Sequence, residues 1–445
     1  MPRTLEQWFA HQAQAHPQTI DLGLERLRCV LARLAWRQPS VPVITVAGTN
    51  GKGSVAAYCA ALLTAAGHRV GTFTSPHLRD YRERIRLHDR LVAEEELTRV
   101  FERIEAACAS VTDPVSLTFF EYSALAAFLL FEEAGLDAWV LEVGMGGRLD
   151  AVNVVDATVA VVVSIGLDHQ EYLGTTLESI SREKAGIFRA GRSAVVGSSE
   201  APQALTDIAQ SIGALPKRLG LEFHYAREAV GWSYRGARWN FHGLPPPALA
   251  GDVQFANAAT AMAALEELEP RMRVTAAAVA QGLKAVRLVG RFQVIAPAAG
   301  RPTWILDVAH NPAAARVLKE NLRALAPAGR TLAVCGILAD KDAPAIAEEV
   351  GDCFDAWWLA STEGPRGTSA EALALRIAGR IRAPLATAQD IAAACAAASA
   401  AAGATDRIVI FGSFHTVGPA LDWLESQSLL PPAARPEYTH PPHRQ

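Results

Sequence analysis

The seven residues GTNGKGS, numbers 48–54, stand between a short apolar run at 43–46 and an apolar-periodic stretch at 55–66 that Gly67 closes. Strand, glycine-rich turn and helix in that order constrain the chain more than any other feature, because they dictate a β-loop-α unit within a parallel sheet. Helical spacing of Leu22, Leu27, Val30, Leu31 and Leu34, followed by Pro39 and Pro42, predicts a helix leading into that strand. Further near-continuous apolar runs at 69–74, 138–143 and 157–165 alternate with helical patterns such as 120–134. Runs of this kind belong to an α/β fold whose parallel sheet is covered on both faces.

Within the turn, Gly48, Gly51 and Gly53 let backbone N–H groups approach phosphate oxygens, with Thr49 and Asn50 between them. Lys52 adds a point charge near the terminal phosphates, and Ser54 a hydroxyl placed for Mg²⁺. A nucleoside triphosphate is the expected ligand; which reaction uses it stays open on these residues alone. Such a loop works with a carboxylate on a neighbouring strand that orients Mg²⁺. Glu142 ends the run AWVL and precedes GMGGR, at the carboxyl end of a strand, where open α/β sheets bind ligands. An ordinary strand-end surface glutamate is the alternative. Asp168-His169 follows the run ending at Ile165 on the same edge, as a ligand or as a plain surface or core pair. Lys184, in SREKAGIF on a helix beginning near Leu177, reads by itself as a solvated lysine beside Ser181.

From 219 to 247 the chain turns to short aromatic, turn-rich pieces that predict an antiparallel patch, followed by a helix at 257–268. Residues 295–302 read as a linker. A second strand-helix alternation follows at 304–308, 316–325, 331–336, 342–350, 356–360, 370–381 and 407–411. The expected organisation is a nucleotide-binding domain over 1–296, a smaller α/β domain over 297–430 and a mobile proline-rich tail over 431–445. A length of 445 residues suits two or three domains. The net charge of −4 lacks the basic excess of a nucleic-acid binder. No apolar run reaches the roughly 20 residues of a membrane span, and the N-terminus carries no secretion signal. The expectation is a cytoplasmic protein with neither nucleic acid nor membrane as partner. Cys29, Cys59, Cys108, Cys335, Cys353 and Cys395 form no CxxC pair, which predicts reduced thiols rather than a zinc site or a disulfide framework.

GTNGKGS, TSPHL (74–78), ERIR (83–86), LTFFEY (117–122), EVGMGGRLDAVN (142–153), LDHQEYLG (167–174), EKAGIF (183–188), DVAHNP (307–312) and GSFHTVG (412–418) recur in order. This set resembles the bacterial dihydrofolate synthase/folylpolyglutamate synthase family, a branch of the Mur ligase superfamily, over roughly residues 21–418. The resemblance implies a P-loop domain with a parallel sheet, joined to a Rossmann-like C-terminal domain, with the active site in the cleft between them. It implies two Mg²⁺ ions, Ser75 and Glu142 serving one with Ser54 close by, and Glu142, His169 and a carbamylated Lys184 serving the other. Lys52, His169 and Lys184 are thereby the candidate catalytic residues. Adenine and ribose contacts carry over to Asn257, Arg291, Asp307 and His310, which otherwise read as a helix N-cap, a linker ion pair and a turn. Pteridine contacts carry over to Asp21, Leu22, Gly23 and Leu24, to Thr118, Phe119 and Phe120, and to Leu149, Asp150 and Ala151. Plain core packing is the rival for the two phenylalanines. The chain departs from the family in having Asp150-Ala151-Val152-Asn153 where DATN is common, and Ser54 where threonine ends the loop.

The activity implied is ATP-dependent amide formation through an acyl phosphate, adding L-glutamate to 7,8-dihydropteroate and to reduced folates, by a monomer. A monofunctional folylpolyglutamate synthase and another Mur-type amino-acid ligase are the near alternatives. A phosphate-transferring P-loop switch or kinase predicts a signal such as NKxD, which the chain lacks. A regulatory nucleotide-binding module predicts loss of Lys52, Ser54 or the metal ligands, and all are present.

Overall fold

A computed structural model describes residues 3–88, 90–109, 113–295 and 300–430. The expected tail at 431–445 lies outside them, as does the middle of the expected linker. The described residues divide into two compact units, one holding those up to 248 with 254–286, the other 249–253 with those from 287 onward.

The first unit is built on strands β1 (Val43–Ala47), β2 (Val70–Phe73), β3 (Ile85–Leu87), β4 (Arg90–Leu91), β5 (Ala138–Glu142), β6 (Val159–Val162), β7 (Ser193–Val196) and β8 (Leu215–Arg218). They form one sheet in the order β4-β3-β2-β5-β1-β6-β7-β8. The six strands from β2 to β8 run parallel, and β1 and β5 are buried at every residue. Continuous burial is why these strands read as unbroken apolar runs, since both faces are covered. The sequence predicts a parallel sheet, as these six strands form, and the hairpin β3–β4 adds antiparallel to β2 beyond them. Strands of three and two residues are too short to stand out by periodicity.

Helix Lys52–Ala65 connects β1 to β2, and helix Phe119–Glu133 precedes β5. The second starts at Thr118 because a capping box closes it: Glu121 N donates to Thr118 Oγ1 (3.3 Å) and Thr118 N to Glu121 Oε2 (2.8 Å). Its apolar residues join Trp8 and Phe101 in the main core. Helix Leu5–Gln14 has no counterpart among the expected elements, although Thr4 and Gln7 cap it in the same way. The aromatic patch is a three-stranded antiparallel sheet of β9 (His224–Arg227), β10 (Trp232–Arg235) and β11 (Asn240–Leu244).

The second unit holds β12 (Gln293–Ile295), β13 (Thr303–Asp307), β14 (Thr331–Cys335), β15 (Ala356–Ala360), β16 (Leu385–Ala388) and β17 (Arg407–Phe411), ordered β12-β13-β17-β14-β15-β16. It begins at Arg287 rather than at 297, because β12 pairs antiparallel with β13 and so belongs to this sheet. All six cysteines are free. Among the described residues, no helix is long and apolar enough to cross a membrane.

Candidate active site

The loop after β1 is held by contacts that local sequence does not announce. Thr49 N donates to Ser164 O (2.9 Å), Asn50 N to Ser164 Oγ (3.0 Å), and Ser164 Oγ in turn to Asn50 O (2.9 Å). Thr49 Oγ1 donates to Gly166 O and accepts from Gly166 N (3.1 and 2.9 Å). Ser164 lies just past β6 and is missing from the candidates; its only signal is its place at the carboxyl edge. Gly51 has φ +87°, and a Cβ there would stand 2.9 Å from Asn257 Oδ1 and from Val163 Cγ1. The loop is therefore a cradle that tolerates no side chain at its helix end. Lys52 begins the helix, and its Nζ donates to Gly48 O (3.2 Å) and Thr49 O (3.3 Å). Gly53 and Ser54 are buried in the first turn.

Lys184 Nζ donates to the same Gly48 carbonyl at 2.9 Å. The side chain is buried, which overturns the reading of a solvated lysine. Burial and the nearby Lys52 cation pull its pKa down to about 7, against the raising effect of Asp168 and Asp150. Three residues earlier on the same helix, the buried Ser181 Oγ has no hydrogen-bond partner.

Glu142 is likewise buried rather than a surface glutamate, and its Oε2 accepts from Ser75 N at 3.1 Å. The structure thus brings Ser75 and Glu142 together at the ends of β2 and β5. His169 adopts a left-handed conformation (φ +50°) as N-cap of a short helix, and its backbone N–H donates to Asp168 Oδ1 at 2.9 Å. A non-glycine residue held there stores strain of the kind found at functional sites. Among the described residues, no three His, Cys, Asp or Glu side chains cluster as a metal site. Glu142, Ser54 and Ser75 of the expected set offer the oxygen donors that suit Mg²⁺, which keeps waters and phosphate oxygens among its ligands.

The segments expected to meet a pteridine are joined by a polar network. Arg26 Nη1 donates to Asp21 Oδ2 (2.5 Å) and Arg26 Nε to Glu121 Oε1 (3.1 Å), while His16 Nε2 lies 3.1 Å from Asp21 Oδ2. Glu121 also caps Thr118, so Asp21–Leu24 and Thr118–Phe120 are tied through His16, Arg26 and Glu121, none of which is among the candidates. Phe119 and Phe120 are only half-buried, so plain core does not describe them. Phe120 packs on Gly144, where a Cβ would come within 2.6 Å of the ring. Leu149 is half-buried and Ala151 buried, on either side of Asp150.

The buried Asp150 carboxylate accepts from Met145 N (2.9 Å) and Val152 N (3.1 Å) and holds the loop after β5. Burial outweighs these bonds and pushes its pKa up from 3.8 to about 7. With the folded value raised, the native state holds a proton that the unfolded chain has lost. The stability this gives is complete below the unfolded value and is lost as pH rises through about 7. Asp150→Asn, which cannot ionise, is expected to gain on wild type by roughly 4 kcal/mol between pH 4 and 8. The amide keeps only one of two acceptors, so the pH slope of the melting-temperature difference is the readout; a flat difference refutes the prediction.

Asn257 sits inside helix Val253–Glu266, not at its N-cap, because the helix begins earlier than expected. Its Nδ2 donates to Gln254 Oε1 (3.1 Å), and the residue faces Gly51. In the second unit, Asp307 accepts from Phe292 N and Ala309 N, both at 2.8 Å, and burial raises its pKa. His310 Nδ1 contacts Val308 O at 2.9 Å, and the Arg291 guanidinium lies 5.1 Å over the Phe414 ring. These three residues therefore gather around the carboxyl end of β13.

Residues 46–211 match the Mur ligase middle domain, and residues 290–414 match the glutamate ligase domain of Mur ligases. A glycine-rich loop on a parallel sheet, followed by this second α/β unit, defines a Mur-type ligase. The chain is 43% identical over 423 residues to the dihydrofolate synthase/folylpolyglutamate synthase of Escherichia coli (strain K12), covering 95% of this chain and 96% of that protein. The solved structure of E. coli FolC in complex with DHPP and ADP superposes with a TM-score of 0.89 at 42% identity, covering 96% and 99% of the two chains. A bifunctional folylpolyglutamate synthase/dihydrofolate synthase with Mn, AMPPNP and L-glutamate bound gives a TM-score of 0.86 at 40% identity, over 95% and 98%. The chain belongs to the dihydrofolate synthase/folylpolyglutamate synthase family.

Proposed function

We propose that this protein joins L-glutamate to 7,8-dihydropteroate and to reduced folates in an ATP- and divalent-metal-dependent reaction. Full-length kinship with a two-activity family, on a chain whose Gly48–Ser54 cradle is intact, carries the reading. A carboxylate is a poor electrophile, so it is first activated. One carboxylate oxygen attacks the γ-phosphorus of ATP, the bond to the β-phosphate oxygen breaks, and an acyl phosphate and ADP form. The glutamate amine then attacks the acyl carbon, loses a proton, and phosphate leaves with the C–O electron pair.

The loop N–H groups and Lys52 bind the nucleotide phosphates and offset charge on the transferring group. Asn257, facing the loop, and Arg291, Asp307 and His310 are the groups proposed for adenine and ribose. Asp21–Leu24, Thr118–Phe120 and Leu149–Ala151 are those proposed for the pteridine. Ser54, Ser75, Glu142, His169 and carbamylated Lys184 would hold two Mg²⁺ ions, which neutralise phosphoryl oxygens when bound. Carbamylation suits Lys184, since an amine with a pKa near 7 is partly neutral at physiological pH. Its nitrogen attacks CO₂, a C–N bond forms, and one proton is released. The product is an anion beside the Lys52 cation in place of a second cation, with Ser181 Oγ available to donate to it.

Incubation with MgATP, L-glutamate and either 7,8-dihydropteroate or tetrahydrofolate, read by mass spectrometry, tests the function. One glutamyl mass gained on both acceptors is expected. A gain on tetrahydrofolate alone leaves a monofunctional polyglutamate synthase, and no gain on either refutes the reading.

A further inference from the structure

Arg84 ends the 3-10 turn Tyr81–Arg84 and is only 5% exposed. Its Nε donates to His77 Nδ1 at 2.8 Å, and its guanidinium carbon lies 5.3 Å from the Phe119 ring centroid and 5.6 Å from that of Tyr81. Among the described residues, Nη1 and Nη2 have no hydrogen-bond or ion-pair partner. Two other guanidiniums nearby are held by carboxylates. Arg82 grips Asp80 with two bonds, Nε to Oδ1 (3.0 Å) and Nη2 to Oδ2 (2.7 Å), and Arg26 is shared by Asp21 and Glu121.

The carboxylates closest in charge to Arg84 are Glu83 and Glu142. Glu83 is taken up by the N–H groups of Leu78, Arg79 and Asp80 at 2.7, 3.0 and 2.9 Å, and Glu142 by Ser75 N. Neither nitrogen is among the buried atoms left without a partner, so both reach solvent, and a planar guanidinium open on that side matches a carboxylate or phosphate fork. The position says which anion. Arg84 is stacked on Phe119 in the segment proposed for the acceptor's rings, and its carbonyl accepts from Thr74 N (2.9 Å), next to Ser75 and Glu142. An acceptor lying along Phe119 with its reacting end toward Glu142 brings a carboxylate to an anionic group, and a cation is needed there.

We propose that the Arg84 guanidinium binds the acceptor's carboxylate and then the acyl phosphate formed from it, oriented by His77 and the rings of Tyr81 and Phe119. The inference rests on the acceptor proposed above and deepens that reading by naming the residue that holds its reacting end. Two other anions, the incoming glutamate and the nucleotide, have the same fork chemistry, so the test separates them.

Steady-state kinetics of Arg84→Gln and Arg84→Lys, with each substrate varied in turn, is one arm. Arg84→Gln is expected to raise the acceptor KM about 10- to 100-fold, with the KM values of ATP and glutamate changed less than about twofold. Direct titration of 7,8-dihydropteroate and of its neutral carboxamide is the other arm. Wild type is expected to favour the acid over the amide, Arg84→Gln to lose that preference, and Arg84→Lys to keep part of it. The ratio of the two dissociation constants within one variant does not depend on the fraction folded. Equal weakening of acid and amide means that Arg84 only props up Phe119, and a shift in the glutamate or ATP KM instead assigns it to another anion; either overturns the inference. Where wild type ligates both acceptors and Arg84→Gln keeps the acid preference, this inference falls alone. Where wild type ligates neither, the proposed function falls and takes this inference with it.

Discussion

Glu142→Gln is expected to lower the turnover of glutamate ligation by about 10²- to 10³-fold while the circular dichroism spectrum and melting curve stay those of wild type. The amide preserves shape and leaves an oxygen for the 3.1 Å bond from Ser75 N, so the ends of β2 and β5 stay joined. What it removes is a buried negative charge at the sheet edge, the property a divalent cation needs. His169→Ala is expected to act in the same direction, since the strained turn presents that side chain at the end of the same sheet. Raising the metal concentration is expected to recover part of the loss in both variants. Wild-type turnover in both refutes the metal assignment.

Gly51→Val is expected to weaken binding of a non-hydrolysable ATP analogue by more than about 100-fold, measured by calorimetric titration. Two costs combine. At φ +87° a β-branched residue is strained by roughly 1–2 kcal/mol. Its Cβ would also overlap Asn257 Oδ1 and Val163 Cγ1, both 2.9 Å away, so the loop must move off the helix end that points its N–H groups at phosphate. Adding Asn257→Ala relieves one overlap but leaves the backbone strain and removes a group proposed for adenine and ribose, so the double variant is expected to bind no better than Gly51→Val. Unchanged affinity in Gly51→Val refutes the cradle.

The strand-helix order, the glycine-rich turn between β1 and its helix, and the place of Glu142 at the end of β5 were legible because each is a local pattern. A β-branched run, a glycine-rich turn and a helical period need only neighbours in sequence. The edge hairpin β3–β4 and the helix Leu5–Gln14 were not, because strands of two and three residues and an amphipathic N-terminal helix carry weak signals. The cut between the units shifted for a related reason. β12 is a short strand, and only its pairing with β13 assigns it to the second sheet.

The candidate site divides along the same line. Sequence alone determined which residue types stand at the carboxyl edge, and its family motifs determined the chemistry expected of them. Tertiary structure alone decided that Lys184 is buried against Gly48 rather than solvated, that Asn257 faces Gly51, and that Ser164 fastens the loop. The physical reason is separation along the chain. Lys184 and Gly48 stand 136 residues apart, and Asn50 and Ser164 stand 114 apart. Burial, charge neighbours and the pKa values they shift belong to such contacts, and no local pattern of residues encodes them.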